Sequence, residues 1–172
     1  MTPAIENILS RRSCRKYKAE MPKEEDLALL ARAGISAPSA RNLQASIVLV
    51  ITDKKTRDAL SKANAAVMDA TADPFYGAPA VLVVLAKKCN TQVYDGSVTA
   101  ENILLAAHAL GLGACWIHRA KEVFMQEEYK QLLAKLGLDG EYEGVANCIV
   151  GYPADDFTPA PIEKKDGRIF YI

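Results

Sequence analysis

Three guanidiniums and a hydroxyl fall within five residues at Arg11-Arg12-Ser13-Cys14-Arg15. Arginine carries its donors in a rigid, permanently charged fork, which suits bidentate contact with phosphate and with a polarised carbonyl. The cluster follows a short helix, and the chemistry it points to is the binding of a phosphorylated cofactor. A solvated basic helix end, favoured by the helix dipole, is the competing reading of the same residues. Lys164, Lys165 and Arg168 form a second cationic group, which by itself reads as a charged tail.

Other residue types that could do chemistry lack partners. Cys115 and His118 make a C-x-x-H, but a strand over 114–118 would send their side chains to opposite faces, which defeats a metal pair and a Cys–His nucleophile alike. Cysteines at 14, 89, 115 and 148 show no C-x-x-C and no regular spacing, so they read as reduced thiols. Gly111-x-Gly113 lacks the third glycine of a dinucleotide fingerprint and follows a helix instead of a strand; it reads as a helix cap. No G-K-[ST] phosphate loop is present. His108 reads as a buried, hydrogen-bonded residue with no acid–base partner in the sequence. Trp116 reads as core, although an aromatic just past a glycine turn is also placed to meet a ligand.

The elements that must position these residues follow from the pattern of the chain. Thr2-Pro3 opens a short helix whose stripe of Ile5, Ile8 and Leu9 anchors the arginine cluster. A second helix starts after Met21-Pro22, with Glu24, Glu25 and Asp26 in its first turn, and ends near Gly34. Ser36 to Gln44 is a small, polar, proline-containing loop leading to a strand over Ile47–Ile51. Asp53 caps a helix through Val67, and Pro74-Phe75-Tyr76-Gly77-Ala78-Pro79 turns into a buried strand over Val81–Leu85. Val98 to Leu110 is apolar nearly all round and is predicted to be a helix enclosed on every side. A strand over Ala114–Ile117, an amphipathic helix over Val123–Leu136, a strand near Val145–Val150 and a terminal strand over Arg168–Ile172 complete the reading.

At 172 residues, half of them hydrophobic, the chain is expected to form one domain over 1–172. Lys plus Arg and Asp plus Glu balance at 21 each, which leaves no overall field to attract nucleic acid or an anionic membrane. The first residues lack the apolar core of a signal peptide and the longest apolar run, Ala78–Ala86, is too short to span a bilayer; a cytoplasmic protein is expected.

Three motifs then matter as an ordered set: Arg-Arg-Ser-x-Arg after the first helix, Ala-Pro-Ser-x-x-Asn-x-Gln in the second loop, and Gly-Leu-Gly-x-Cys-Trp-Ile after the apolar helix. In that order they resemble the FMN-dependent nitroreductase family, and the resemblance runs from end to end. The segment Asn102–Leu105, the strand ending Gly151-Tyr152-Pro153 and the basic C-terminal segment look like its short bacterial members. Alternating strands and helices would ordinarily suggest a doubly wound parallel sheet. The resemblance implies instead an α+β fold with a central mixed, largely antiparallel sheet flanked by helices and a C-terminal strand extending to the partner subunit. It also implies a homodimer with FMN at each of two interface sites.

Residue by residue, the resemblance makes Arg11, Arg12 and Ser13 phosphate and ribityl contacts and Arg15 the cation at the pyrimidine edge of the flavin. Pro38, Ser39 and Asn42 resemble the loop that reaches the flavin from the other subunit, with Gln44 behind it. Cys115 and Trp116 resemble residues whose backbone lies against the ring, and Lys164, Lys165 and Arg168 a second phosphate clamp. Family members with Asn and Lys before the second strand differ here, where Thr71 and Pro74 stand, so the Phe75-Tyr76-Gly77 turn either replaces those contacts or leaves them absent. The implied activity passes a hydride from NADH or NADPH to the flavin and then to a nitroaromatic, quinone or similar small acceptor, in ping-pong fashion with no side-chain acid or base. Rival readings are a same-fold flavoenzyme acting on a specific metabolite by dehalogenation or dehydrogenation, a flavin-binding protein without turnover, and an anion-binding protein without flavin.

Overall fold

Seven residues of unbroken apolar side chain, Ala80 to Ala86, are fully buried, and the rest of the molecule is layered on them. The computed structural model describes residues 1–172. In chain order it contains α1 (Pro3–Ser10), α2 (Glu24–Ile35), β1 (Ser46–Ile51), α3 (Lys54–Val67), β2 (Ala80–Lys87), α4 (Gln92–Ala109), β3 (Gly113–Ile117), α5 (Ala120–Phe124), α6 (Glu127–Lys135) and β4 (Tyr142–Gly151). The strands form one sheet in the order β1-β2-β4-β3, every neighbour antiparallel. The one parallel pairing is the isolated bridge between Ser13 and Ala114 at the outer edge of β3.

Successive β2 side chains alternate faces. Leu82 and Val84 join Leu27, Leu30, Ile103 and Leu104 of α2 and α4, while Val81, Val83 and Leu85 join Leu60, Val123, Phe124 and Leu133 of α3, α5 and α6. Helices on both faces explain why β2 is apolar at every position from Ala80 to Ala86, up to the exposed Lys87 at its end. Truncating Leu82 or Leu85 to Ala would cost about 2–5 kcal/mol, since neither site borders solvent into which it could collapse. Helix α3 begins where expected: Asp53 accepts a hydrogen bond from the Thr56 amide at 2.8 Å, a cap worth about 0.5–2 kcal/mol.

Several expectations are corrected. The helix expected over Val98–Leu110 starts at Gln92 and is not enclosed. Only the stripe through Asp95, Gly96, Thr99, Ala100, Ile103, Leu104 and Ala107 is buried, and Tyr94, Val98 and Leu110 face outward, because this chain supplies cover on the sheet side alone. The helix expected over Val123–Leu136 is two helices, since Gln126 takes an extended backbone (ψ 147°) that breaks the ladder. Arg168–Ile172 is not a strand: its residues are exposed and no strand of this chain pairs with it. Gly111, at φ +74°, caps α4 as expected, but Gly113 belongs to β3 and serves close approach, for a Cβ there would lie 2.7 Å from the Cys14 sulfur.

Candidate functional site

The arginine segment is laid on the edge of β3. Helix α1 ends as Arg11 turns to an extended backbone (ψ 133°), Ser13 bridges Ala114, and the Cys14 amide donates to the Ala114 carbonyl at 3.0 Å. Cys14 points inward against Gly113, and burial pushes its thiol pKa up. Tyr17 donates its hydroxyl to the Cys14 carbonyl at 2.6 Å and locks the segment from the other side. Buried Cys14 and half-buried Tyr17 thus hold the backbone while Arg15 is exposed and Arg11, Arg12 and Ser13 are half-buried. Behind them, α1 is tied to the C-terminal half of α4 by Asn7 Nδ2 on the Leu105 carbonyl (2.9 Å) and by Ser10 Oγ with His108 Nε2 (2.8 Å). His108, expected to be buried, is half-buried; partial burial and then the positive charges of Arg11 and Arg12 lower its pKa.

The arginines are not equivalent. Arg12 donates Nη1 to the Leu9 and Arg11 carbonyls, both at 2.9 Å, and Nε to the Ala160 carbonyl at 3.2 Å, so only its Nη2 faces a ligand freely. It caps α1 and pins the tail. Arg11 and Ser13 have no side-chain hydrogen bond within the chain, and Arg15 has only the face of the Tyr76 ring, 5.9 Å from its guanidinium carbon. The nearby carboxylates are engaged elsewhere: Asp156 pairs with Lys16 at 2.7 Å and Asp155 with Lys18 at 2.6 Å. What is left is a cationic donor set with no anion inside it, and a phosphate monoester fits that set.

Cys115 and Trp116 divide their roles. The Ala114 carbonyl faces Cys14, so by the alternation of an antiparallel strand the backbone groups of Trp116 face the same open edge while those of Cys115 pair with Ile149 of β4. The Cys115 thiol is buried in the α3 side of the core. Trp116 packs its half-buried ring against the α2–α4 side.

Pro38, Ser39, Asn42 and Gln44 lie elsewhere. Their loop contains a 3-10 turn over Ala40–Asn42, with Arg41, Asn42 and Gln44 at φ of 51°, 55° and 48°. Three non-glycine residues in the left-handed region carry strain that the surroundings must hold. Asp95, buried in the first turn of α4, accepts from the Ala40 amide at 3.2 Å and from Thr91 Oγ1 at 3.1 Å. Ser39 Oγ accepts from the Gln44 amide at 2.9 Å, and Gln44 donates to Asn42 Oδ1 at 3.0 Å. The loop is therefore fixed at Asp95 and the arginine segment at Leu105 and His108. Ten to thirteen helical residues at 1.5 Å each separate those anchors, about 15–20 Å. One chain does not bring the two halves together.

Lys164, Lys165 and Arg168 are exposed and make no hydrogen bond with the arginine segment; Arg168 donates only to the Lys165 carbonyl, at 3.2 Å. The tail is fastened as far as Ala160 and leaves the body after it. A cleft of about 650 Å³ lies at the other end of the sheet between Lys88, Lys121, Leu133 and Tyr142. Its lysines at 88 and 121 are paired with Glu141 and Glu143, which leaves Lys130 as a single unpaired cation there and no cluster of free donors. Sequence reasoning missed Asp95, which it left outside α4, and Asp73 and Arg57; it named the Phe75-Tyr76-Gly77 turn but not the approach of Tyr76 to Arg15, which spans a distance in the chain that no local pattern signals.

The Nitroreductase family model matches residues 8–77 and 66–152. A protein of Archaeoglobus fulgidus, named provisionally as an NADH dehydrogenase/NAD(P)H nitroreductase, is 33% identical over 98% of this chain and 97% of its own length. A nitroreductase with bound FMN from Desulfitobacterium hafniense superposes with a TM-score of 0.86 at 26% identity, covering 100% of this chain and 99% of that one. A second, from Bacteroides fragilis, reaches a TM-score of 0.90 over 100% of both chains at 23% identity and speaks to the fold. No helix is long and apolar enough to cross a membrane. With the ordered motifs, the antiparallel sheet flanked by helices and these matches over nearly its full length, the chain belongs to the Nitroreductase family.

Proposed function

We propose that the chain is an FMN-dependent oxidoreductase acting as a homodimer, which takes reducing equivalents from NADH or NADPH and delivers them to a nitroaromatic, quinone or similar small acceptor. The observation that carries this reading is the unpartnered donor set of Arg11, Ser13 and Arg15 on the open edge of β3. FMN, when bound, supplies the redox chemistry: hydride in from the nicotinamide, then two electrons out to the acceptor after the nicotinamide has left. The chain supplies binding and electrostatics. Arg11, Ser13 and the free Nη2 of Arg12 hold the phosphate end, and Arg15 supports negative charge on the reduced flavin, which favours hydride acceptance.

The dimer follows from the divided site. The loop of Pro38, Ser39, Asn42 and Gln44 is anchored about 15–20 Å along α4 from the anchors of the arginine segment, and a two-fold partner would bring its loop to that segment. Exposed Ile5, Ile8 and Leu9 of α1 and Tyr94 and Val98 of α4 give such a partner an apolar surface to cover. Lys164, Lys165 and Arg168 then complete the phosphate clamp, and Ile169–Ile172 pairs with the open edge of a neighbour's β1, which has only β2 beside it in this chain.

The test is purification followed by denaturation. A yellow protein that releases FMN and, on adding NADH or NADPH, bleaches and reduces a quinone with parallel double-reciprocal lines is expected. A colourless protein that cannot be reconstituted with FMN would overturn the reading, and intersecting lines would overturn its ping-pong order.

A further inference from the structure

Tyr76 sits in the turn before β2 at φ 52°, a backbone conformation that an aromatic residue rarely adopts. Asp73 over-determines it. The Asp73 carboxylate accepts from the amides of Phe75 and Gly77, both at 2.8 Å and one on each side of Tyr76. It also accepts from Arg57 Nη2 at 2.7 Å and from the Ser61 hydroxyl. Arg57, almost fully buried, donates Nε to the Ala78 carbonyl at 2.9 Å and lies 5.5 Å from the ring of the fully buried Phe75. The turn is thereby fastened to α3 at several points, Phe75 inward and Tyr76 outward. What the fastened turn presents is the Tyr76 ring beneath the Arg15 guanidinium, 5.9 Å from ring centroid to Cζ.

We infer that Tyr76 is a positioning residue for Arg15: the clamped ring holds the guanidinium by its π face, fixing its place while leaving its charge and all its N–H donors free for a ligand. A carboxylate in the same role would cancel the charge and occupy the donors, whereas a ring attracts the cation through its quadrupole and occupies none. This rests on the proposed role of Arg15 toward reduced flavin. It also gives a use to the turn that stands where other family members are expected to carry polar contacts.

The test compares Tyr76→Leu, Tyr76→Phe, Arg15→Ala and the Tyr76→Leu/Arg15→Ala double variant, each loaded with FMN, by the midpoint potential of the bound flavin and by FMN titration. Arg15→Ala should move the potential more negative, and Tyr76→Leu should produce at least a third of that shift. Tyr76→Phe, which keeps the ring, should match the unaltered protein, and the double variant should match Arg15→Ala alone because Tyr76 acts through Arg15. An unshifted Tyr76→Leu, a Tyr76→Phe as shifted as Tyr76→Leu, or additive shifts in the double variant would overturn the inference while leaving the role of Arg15 intact. An unshifted Arg15→Ala would overturn both. If Tyr76→Leu does not fold, Asp73→Asn loosens the turn with the ring in place and should shift the potential in the same direction; no shift there overturns the inference.

Discussion

The Ser10 hydroxyl and the His108 ring nitrogen meet at 2.8 Å, joining the last turn of α1 to α4 directly behind the arginine cluster. His108 therefore reports on that cluster: burial and the charges of Arg11 and Arg12 together hold its pKa below the ordinary 6.5. An anion bound to the two arginines should cancel part of their field and raise it. An NMR titration of His108 with and without inorganic phosphate checks this, and an unchanged midpoint would mean that the arginines bind no anion.

Arg15→Ala should leave the fold intact and weaken FMN binding, whereas Arg41→Ala, exposed in the 38–44 loop and without a hydrogen-bond partner, should do little. A charge-assisted hydrogen bond is worth about 1.5–3 kcal/mol, which corresponds to about a 10- to 100-fold change in Kd. Equal effects in parallel FMN titrations would show the binding site misplaced.

Asp95→Ala should destabilise the protein by about 1–3 kcal/mol, because it strips the Ala40 amide of its acceptor beneath a strained loop. Urea unfolding measures the loss. The same variant should bind FMN more weakly if the loop serves the flavin site of a partner, and full FMN affinity in a destabilised protein would separate the loop from that site.

Stability should fall in acid through Asp73. Burial alone would raise its pKa, but hydrogen bonds from Ser61, Arg57 and the Gly77 and Phe75 amides outweigh that and hold it at about 2, against an ordinary 3.8. A depressed carboxylate stabilises the fold fully above the unfolded value and loses that contribution as pH falls toward the folded value. Melting temperature should therefore drop between about pH 4 and pH 2, and Asp73→Asn should flatten that drop. A variant with the same acid limb as the parent would refute the assignment.

Deleting residues 164–172 should lower dimer stability and FMN affinity together, since one segment is proposed to serve both. Burying Ile169 and Phe170 against a partner would contribute roughly 1.5–3 kcal/mol each. Sedimentation of the truncated protein beside an FMN titration decides the matter: a stable dimer with unaltered affinity would make the tail a solvated end.

The sequence by itself determined the local elements and the chemistry of the cluster. Unbroken apolar character in the run that holds Val81–Leu85 marked a buried strand, Asp53 marked the start of α3, and Arg11 to Arg15 offered a cationic donor cluster suited to an anion. The ordered motifs carried the family. Tertiary structure decided everything that depends on direction and distance. Face coverage is encoded by periodicity, but strand polarity is not, so the order β1-β2-β4-β3 and its antiparallel pairing had to come from the fold. Apolar residues around α4 signalled burial without saying that a single chain leaves its outer face bare. The break at Gln126 carries no glycine or proline to announce it. The division of the site is likewise a matter of geometry. Ala40 and Ser10 are anchored to Asp95 and His108 near opposite ends of α4, and the length of that helix sets the 38–44 loop apart from the arginine segment.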